Sequence, residues 1–308
     1  MMINSTLVTH FTFAAYFDIG LLKYFVFAIL MCLYLFSVFA NVLLIVIICM
    51  NRTLHEPMYL FLCSLFVNEL IGSTGLLPFL LLQILADVHT VPVPLCHLQI
   101  LCLYIYVNVQ FYTLAVLSYD RYLAICCPLQ YNGWMTSRKI ALLITLMWFF
   151  PVVAIVTMTS LSASLQLCGN IIERLYCDNF SVVKLACHDT TVNNVYGIIY
   201  TACVFGLFLL ILYTYIKILL VCFSGSKKSR RKAVSTCTPH LASLLNFSCG
   251  CFLEIIQSRF NMNGVPILLR IFLSLYFLIC QPGFNPLVYG LTLTKIRIIC
   301  KSLVFRQI

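Results

Sequence analysis

Asp120 and Arg121 stand side by side in Ser118–Tyr131, SYDRYLAICCPLQY, at the end of an apolar stretch that begins near Leu95. Charge is costly in hydrocarbon, so an adjacent acid and base belong where membrane meets water, paired or reaching for the interface. That chemistry is a reversible ion pair, a switch or an anchor. Glu69 is a second candidate: an ionisable group amid an apolar run is expensive and functional by default. Arg259 is a third, since a planar guanidinium suits bidentate binding of a carboxylate. About 28 residues, roughly 42 Å of helix, separate it from the basic edge near Arg231, which places it at the far membrane face. Cys96 opens the third apolar run, Cys168, Cys177 and Cys187 lie in the long loop between the fourth and fifth, and the four allow three pairings in an oxidising compartment. With no nucleophile-and-base constellation and no metal-ligand motif, neither an enzyme nor a cofactor is expected.

The elements that must position these residues are apolar. The chain has 308 residues, 62% of them hydrophobic and only 9% charged, and a mean hydropathy of +1.03. That composition excludes a soluble fold and predicts a polytopic membrane protein. At about 20 residues per crossing, seven segments are long enough: 24–50, 57–85, 95–126, 138–161, 192–223, 232–257 and 266–290. The predicted fold is an all-α seven-helix membrane bundle forming one domain over 1–308. A short amphipathic helix over 293–305 follows, with Ile296, Ile299, Leu303 and Val304 opposed to Lys295, Arg297 and Lys301.

A net charge of +10 could suggest nucleic acid, but its placement argues against that. Most of the 19 basic residues, including Gly225–Lys232 (GSKKSRRK), fall on one side of the seven segments. The positive-inside rule then puts residues 1–23 outside the cell and the basic loops against inner-leaflet lipid and a cytosolic partner. Asn4-Ser5-Thr6 is a glycosylation sequon on the outer side, and Cys300 is a palmitoylation candidate. Most of the remaining cysteines lie within spans and are read as small apolar packing residues.

Four motifs occur in order: Leu54-His55-Glu56-Pro57-Met58-Tyr59, Ser118–Tyr131, Lys232–His240 (KAVSTCTPH) and Asn285-Pro286-Leu287-Val288-Tyr289. Together they resemble the signature set of vertebrate odorant receptors, a branch of the rhodopsin-like G-protein-coupled receptors. Leu245–Ser248 and Leu291–Lys295 are more similar to the fish members. The resemblance implies that Arg121, within Asp120-Arg121-Tyr122, is held by Asp120 at rest and freed to meet a G protein. It gives Tyr215, Lys232, His240, Asn285, Pro286 and Tyr289 roles in that switch or at the coupling surface. It also implies disulfides Cys96–Cys177 and Cys168–Cys187.

For the ligand, the resemblance implies a small odorant in the outer half of the bundle. Leu103, Tyr104, Val107 and Asn108 would face it from the third span, a stripe at helical spacing that packing residues would also show. Ser248, Phe252 and Ile255 would face it from the sixth, and Arg259 would meet a polar or anionic head group. Asn41, Glu69, Gln110 and Asn285 match the polar cluster that holds Na⁺ in many such receptors. Gln110 stands where the family usually has glutamate, so the alternative is a protonated, hydrogen-bonded Glu69. The implied protein sits in the plasma membrane of olfactory cilia and raises cAMP through an olfactory stimulatory G protein. The rivals are a non-olfactory receptor of the same class for a metabolite or peptide, and a transporter or channel. The last would need inverted repeats or paired interrupted helices, and none is found.

Overall fold

The computed structural model describes residues 8–16, 20–224, 227–259 and 267–305. Asn4 lies outside them, and the side chains of Lys232, Ile255 and Arg259 lie outside the description of their helix.

In chain order the elements are β1 (His10–Phe13), α1 (Leu22–Met50), a 3₁₀ turn (Arg52–Leu54), α2 (Pro57–Leu85), β2 (Thr90–Pro92), α3 (Val93–Cys126) and α4 (Tyr131–Trp134). They continue with α5 (Ser137–Ala163), β3 (Ile171–Ile172), α6 (Asn179–Lys184), α7 (Thr191–Ser224), α8 (Lys227–Arg259), α9 (Ile267–Thr292) and α10 (Thr294–Phe305). Among the described residues, α1, α2, α3, α5 and α7 are long and apolar enough to cross a membrane. With α8 and α9 they form a seven-helix bundle. Helix α3 runs through its middle and packs on α2, α5, α7 and α8, and α9 packs on α1 and α2.

Local sequence sets several helix starts. Pro57 occupies the first turn of α2 after an extended Glu56, where a missing N–H costs nothing. The side chain of Thr136 caps α5 through the N–H of Lys139. Trp148 Nε1 donates to Ser64 Oγ at 2.8 Å and ties α5 to α2. Gly72 lets α2 approach α3 closely: a Cβ there would fall 2.3 Å from the ring of Tyr106.

One feature goes beyond the all-α expectation. Strand β1 lies between β2, antiparallel with Phe11 opposite Val91, and β3, parallel with Phe13 opposite Ile172. Its alternation turns Phe11 and Phe13 into a small core with Cys96, Ile100, Cys177 and Val182. Strand β1 is thus sewn into the loops at one end of the bundle, called here the disulfide end.

Candidate functional site

Three sets of polar residues are distributed along the bundle. At the end opposite the disulfides, Arg121 Nε donates to Asp120 Oδ2 at 2.9 Å, and Arg121 Nη2 donates to the same oxygen. Tyr131, from the short α4, donates to Asp120 Oδ1 at 2.7 Å. The acid is fully buried and the arginine side chain 12% exposed, so their charges meet where screening is weak and charge-assisted bonds are strong. Tyr215, Cys237 and His240 lie within the electrostatic reach of Arg121. His240 Nδ1 is 3.1 Å from the hydroxyl of Tyr289, which joins α8 to the end of α9. Tyr122 is half buried against the same core. Of the residues to which the resemblance gives a switch role, Asp120, Arg121, Tyr215, His240 and Tyr289 lie at this end, while Asn285 bonds to Glu69 in mid-bundle and the side chain of Lys232 is not described.

Mid-bundle, Glu69 accepts three neutral hydrogen bonds: from Gln110 Nε2 at 2.9 Å, from Tyr106 Oη at 3.0 Å and from Asn285 Nδ2. The amide oxygens point away. Gln110 Oε1 accepts from Asn68 at 3.1 Å and Asn285 Oδ1 from Ser243 at 2.7 Å. A cation would need those oxygens turned inward, so this arrangement does not fit Na⁺. Asn41 does not join the cluster; its Nδ2 donates to Ser37 O and Pro282 O, both at 2.8 Å, linking α1 to α9. Among the described residues no group of three His, Cys, Asp or Glu could hold a metal ion. Gln110, Tyr106 and Asn285 hold Glu69 by hydrogen bonds.

At the disulfide end Cys96 is bonded to Cys177 with 5.5 Å between Cα atoms, and Cys168 to Cys187 with 5.0 Å. Gln99 Oε1 accepts the N–H of Cys177 at 2.8 Å, and Tyr16 donates to Leu175 O at 2.7 Å. The loop from Arg174 to Asp178 is thereby drawn over α3. There Arg174 Nη1 donates to Glu254 of α8, and Arg174 Nε lies 3.6 Å from Asp178 Oδ2. On α3, Leu103 and Asn108 are buried, and Tyr104 and Val107 half buried. Asn108 Nδ2 donates to Tyr104 O at 2.6 Å.

On α8, one residue of the stripe the sequence suggested, Phe252, faces away from the bundle. Phe247 packs edge-on against Phe111, and Glu254 meets the loop. Phe252 is 63% exposed on the outer surface. Five residues on from Phe247 the helix has turned about 140°, so Phe252 cannot share its face. Ser248 is half buried, its Oγ enclosed and without a hydrogen-bond partner. Ile255 and Arg259 belong to the undescribed side chains. Participants not assigned from sequence include Asn68, Tyr106, Ser243, Tyr131, Arg174 and Glu254. For Tyr131 the signal was its place eleven residues after Asp120, and for Glu254 an ionisable group within a predicted span. The pairing of Tyr131 with Asp120, like that of Arg174 with Glu254, comes only from tertiary packing.

A long seven-helix bundle with an arginine clasped at one end and a disulfide-tied loop roofing the other defines a membrane receptor. The family model for olfactory receptors matches residues 30–307. The mouse protein "Olfactory receptor 4E2" is 30% identical over 99% of this chain and 98% of its own. The human "Olfactory receptor 52D1" is 33% identical over 86% of this chain and 84% of its own, and the human "Olfactory receptor 11A1" 33% over 92% and 89%. The chain belongs to the olfactory receptor family, G-protein-coupled receptors that are not enzymes.

Proposed function

We propose that this receptor binds a small odorant beneath the loop at the disulfide end and activates a heterotrimeric stimulatory G protein at the opposite end, raising cAMP. It does so in the plasma membrane of olfactory cilia, with its N-terminus outside. The observation that carries the reading is Arg121, half-buried and clasped by the buried Asp120 amid Tyr215, His240 and Tyr289. An arginine held this way is silent until the helices around it rearrange. The odorant drives that step only through its higher affinity for the rearranged state. Leu103, Tyr104, Val107 and Asn108 lie under the roof where the ligand would sit, on a helix continuous with Arg121.

The seven crossings are assigned to α1, α2, α3, α5, α7, α8 and α9. Helix α10 lies along the inner leaflet, with Ile296 buried and Ile299 and Cys300 packed against the bundle. Glycosylation at Asn4 and palmitoylation at Cys300 complete the assignment. The deciding experiment is Arg121→Ala in surface-displayed receptor: odorant-driven nucleotide exchange on the G protein is expected to vanish while ligand-induced thermal stabilisation persists. Exchange at the native rate would refute the coupling mechanism.

A further inference from the structure

We infer that Asn246, Tyr276 and Gln281 are positioning residues for signalling: they brace α8 against α9 and so hold His240 and Cys237 over Arg121 in the quiet receptor. The inference rests on the receptor reading above and names what keeps its resting state in place. Asn246 of α8 uses both ends of its amide on α9. Its Oδ1 accepts from the hydroxyl of Tyr276 at 2.6 Å, and its Nδ2 donates to Gln281 Oε1. Gln281 is buried and turns its own Nε2 back to α8, 3.4 Å from both the carbonyl and the hydroxyl of Ser243. Ser243 Oγ donates in turn to Asn285 Oδ1 at 2.7 Å, and His240 Nδ1 lies 3.1 Å from the Tyr289 hydroxyl. Positions 240, 243 and 246 of α8 thus meet 289, 285 and 281 of α9 in turn, an antiparallel ladder at the three- and four-residue spacing of one helix side.

The ladder is what fixes α8, because its other contacts in the bundle are of a kind that slides. Helix α8 packs more extensively on α9 than on α3 or α7. Toward α3 it offers Phe247 against Phe111, and lipid tails are as apolar as that contact, so exchanging one for the other costs little. A hydrogen bond is directional, and in hydrocarbon no water replaces a lost partner. Helix α9 is itself anchored, through Asn285 to Glu69 of α2 and through the carbonyl of Pro282 to Asn41 of α1. The outer end of α8 has a separate tie, Glu254 to Arg174. Losing the brace therefore frees chiefly the inner part, where the buried Cys237 and His240 stand about 14 and about 9 Å along the helix from Asn246. Both lie within the electrostatic reach of Arg121. As they depart, water reaches the Asp120–Arg121 pair and screens it.

The test measures ligand-independent nucleotide exchange on the G protein, per folded receptor, with purified full-length protein in lipid nanodiscs. Asn246→Leu and Tyr276→Phe are each expected to raise it about threefold or more, the scale of one interhelical hydrogen bond in lipid. Asn246→Leu combined with Gln281→Leu should rise less than the product of the two single changes, because both break the same bond. Basal exchange unmoved in both Asn246→Leu and Tyr276→Phe, whatever the melting midpoint does, would make these residues structural and overturn the proposal. So would a rise in the double variant equal to the product of the singles. Tyr276→Phe removes a single hydroxyl and decides the matter even if Asn246→Leu does not fold. Arg121→Ala judges the receptor reading in the same assay. Exchange that survives it discards both readings, whereas exchange lost there but unmoved by the brace variants discards the brace alone.

Discussion

Removing one hydroxyl from Tyr131 tests how the Asp120–Arg121 pair is held. Burial, and then the adjacent Asp120 carboxylate, push the Tyr131 phenol well above its ordinary range, so it stays a donor throughout physiological pH. A hydrogen bond to a buried charge contributes about 1.5–3 kcal/mol. Tyr131→Phe should therefore raise ligand-independent cAMP by roughly tenfold, where 1.4 kcal/mol corresponds to a factor of ten. Unchanged basal signalling at equal surface density would show that Tyr131 does not restrain the resting state. Gly72 is a second single-residue test. An added methyl meets the root of the Tyr106 ring and not a flexible tip. Gly72→Ala is expected to cost about 1–3 kcal/mol through overpacking, read as a lowered melting midpoint, and to displace the Tyr106 hydroxyl from Glu69.

Among elements, β1 is the least expected. Phe11 is fully buried between β2, β3 and the Cys96–Cys177 bridge. Phe11→Ala should cost about 3–5 kcal/mol, the usual loss for a buried aromatic, and reduce surface display far more than Thr12→Ala. The comparison is read by antibody staining of intact cells. Helix existence was legible in the sequence because twenty apolar residues in a row have few alternatives. The facing of α8 was not. Its stripe was drawn through Ser248, Phe252 and Ile255; Phe252 is exposed, Ser248 is half buried, and the Ile255 side chain lies outside the description. Polar and apolar residues are mixed along this helix without a strong period, so its sequence does not mark which side meets the bundle. Nor could a four-residue strand be picked out of an N-terminal tail, though His10-Phe11-Thr12-Phe13 does alternate.

On the scale of the molecule, a polar cluster extends from mid-bundle toward the Arg121 end. It runs from Tyr106 and Glu69 through Asn285 to Ser243 and Gln281, with His240 and Tyr289 below. Because Glu69 is met by N–H and O–H groups, replacing sodium with choline in the assay should leave odorant potency and basal activity unchanged. A shift in either would return Na⁺ to the cluster. This network was only half legible: the polar residues stood out in apolar runs, but hydrogen-bond direction, which decides between ion and amide, is a property of packing.

The clasp on Arg121 has a mechanical corollary. Its counter-ion is the preceding residue on the same helix, so translating or tilting α3 as a rigid rod leaves the two groups at a constant separation. Unlike a latch strung between two helices, it is insensitive to rigid-body displacement. Letting go must come from solvation, as departing neighbours admit water and weaken the attraction, or from a rival acceptor offered by the incoming protein.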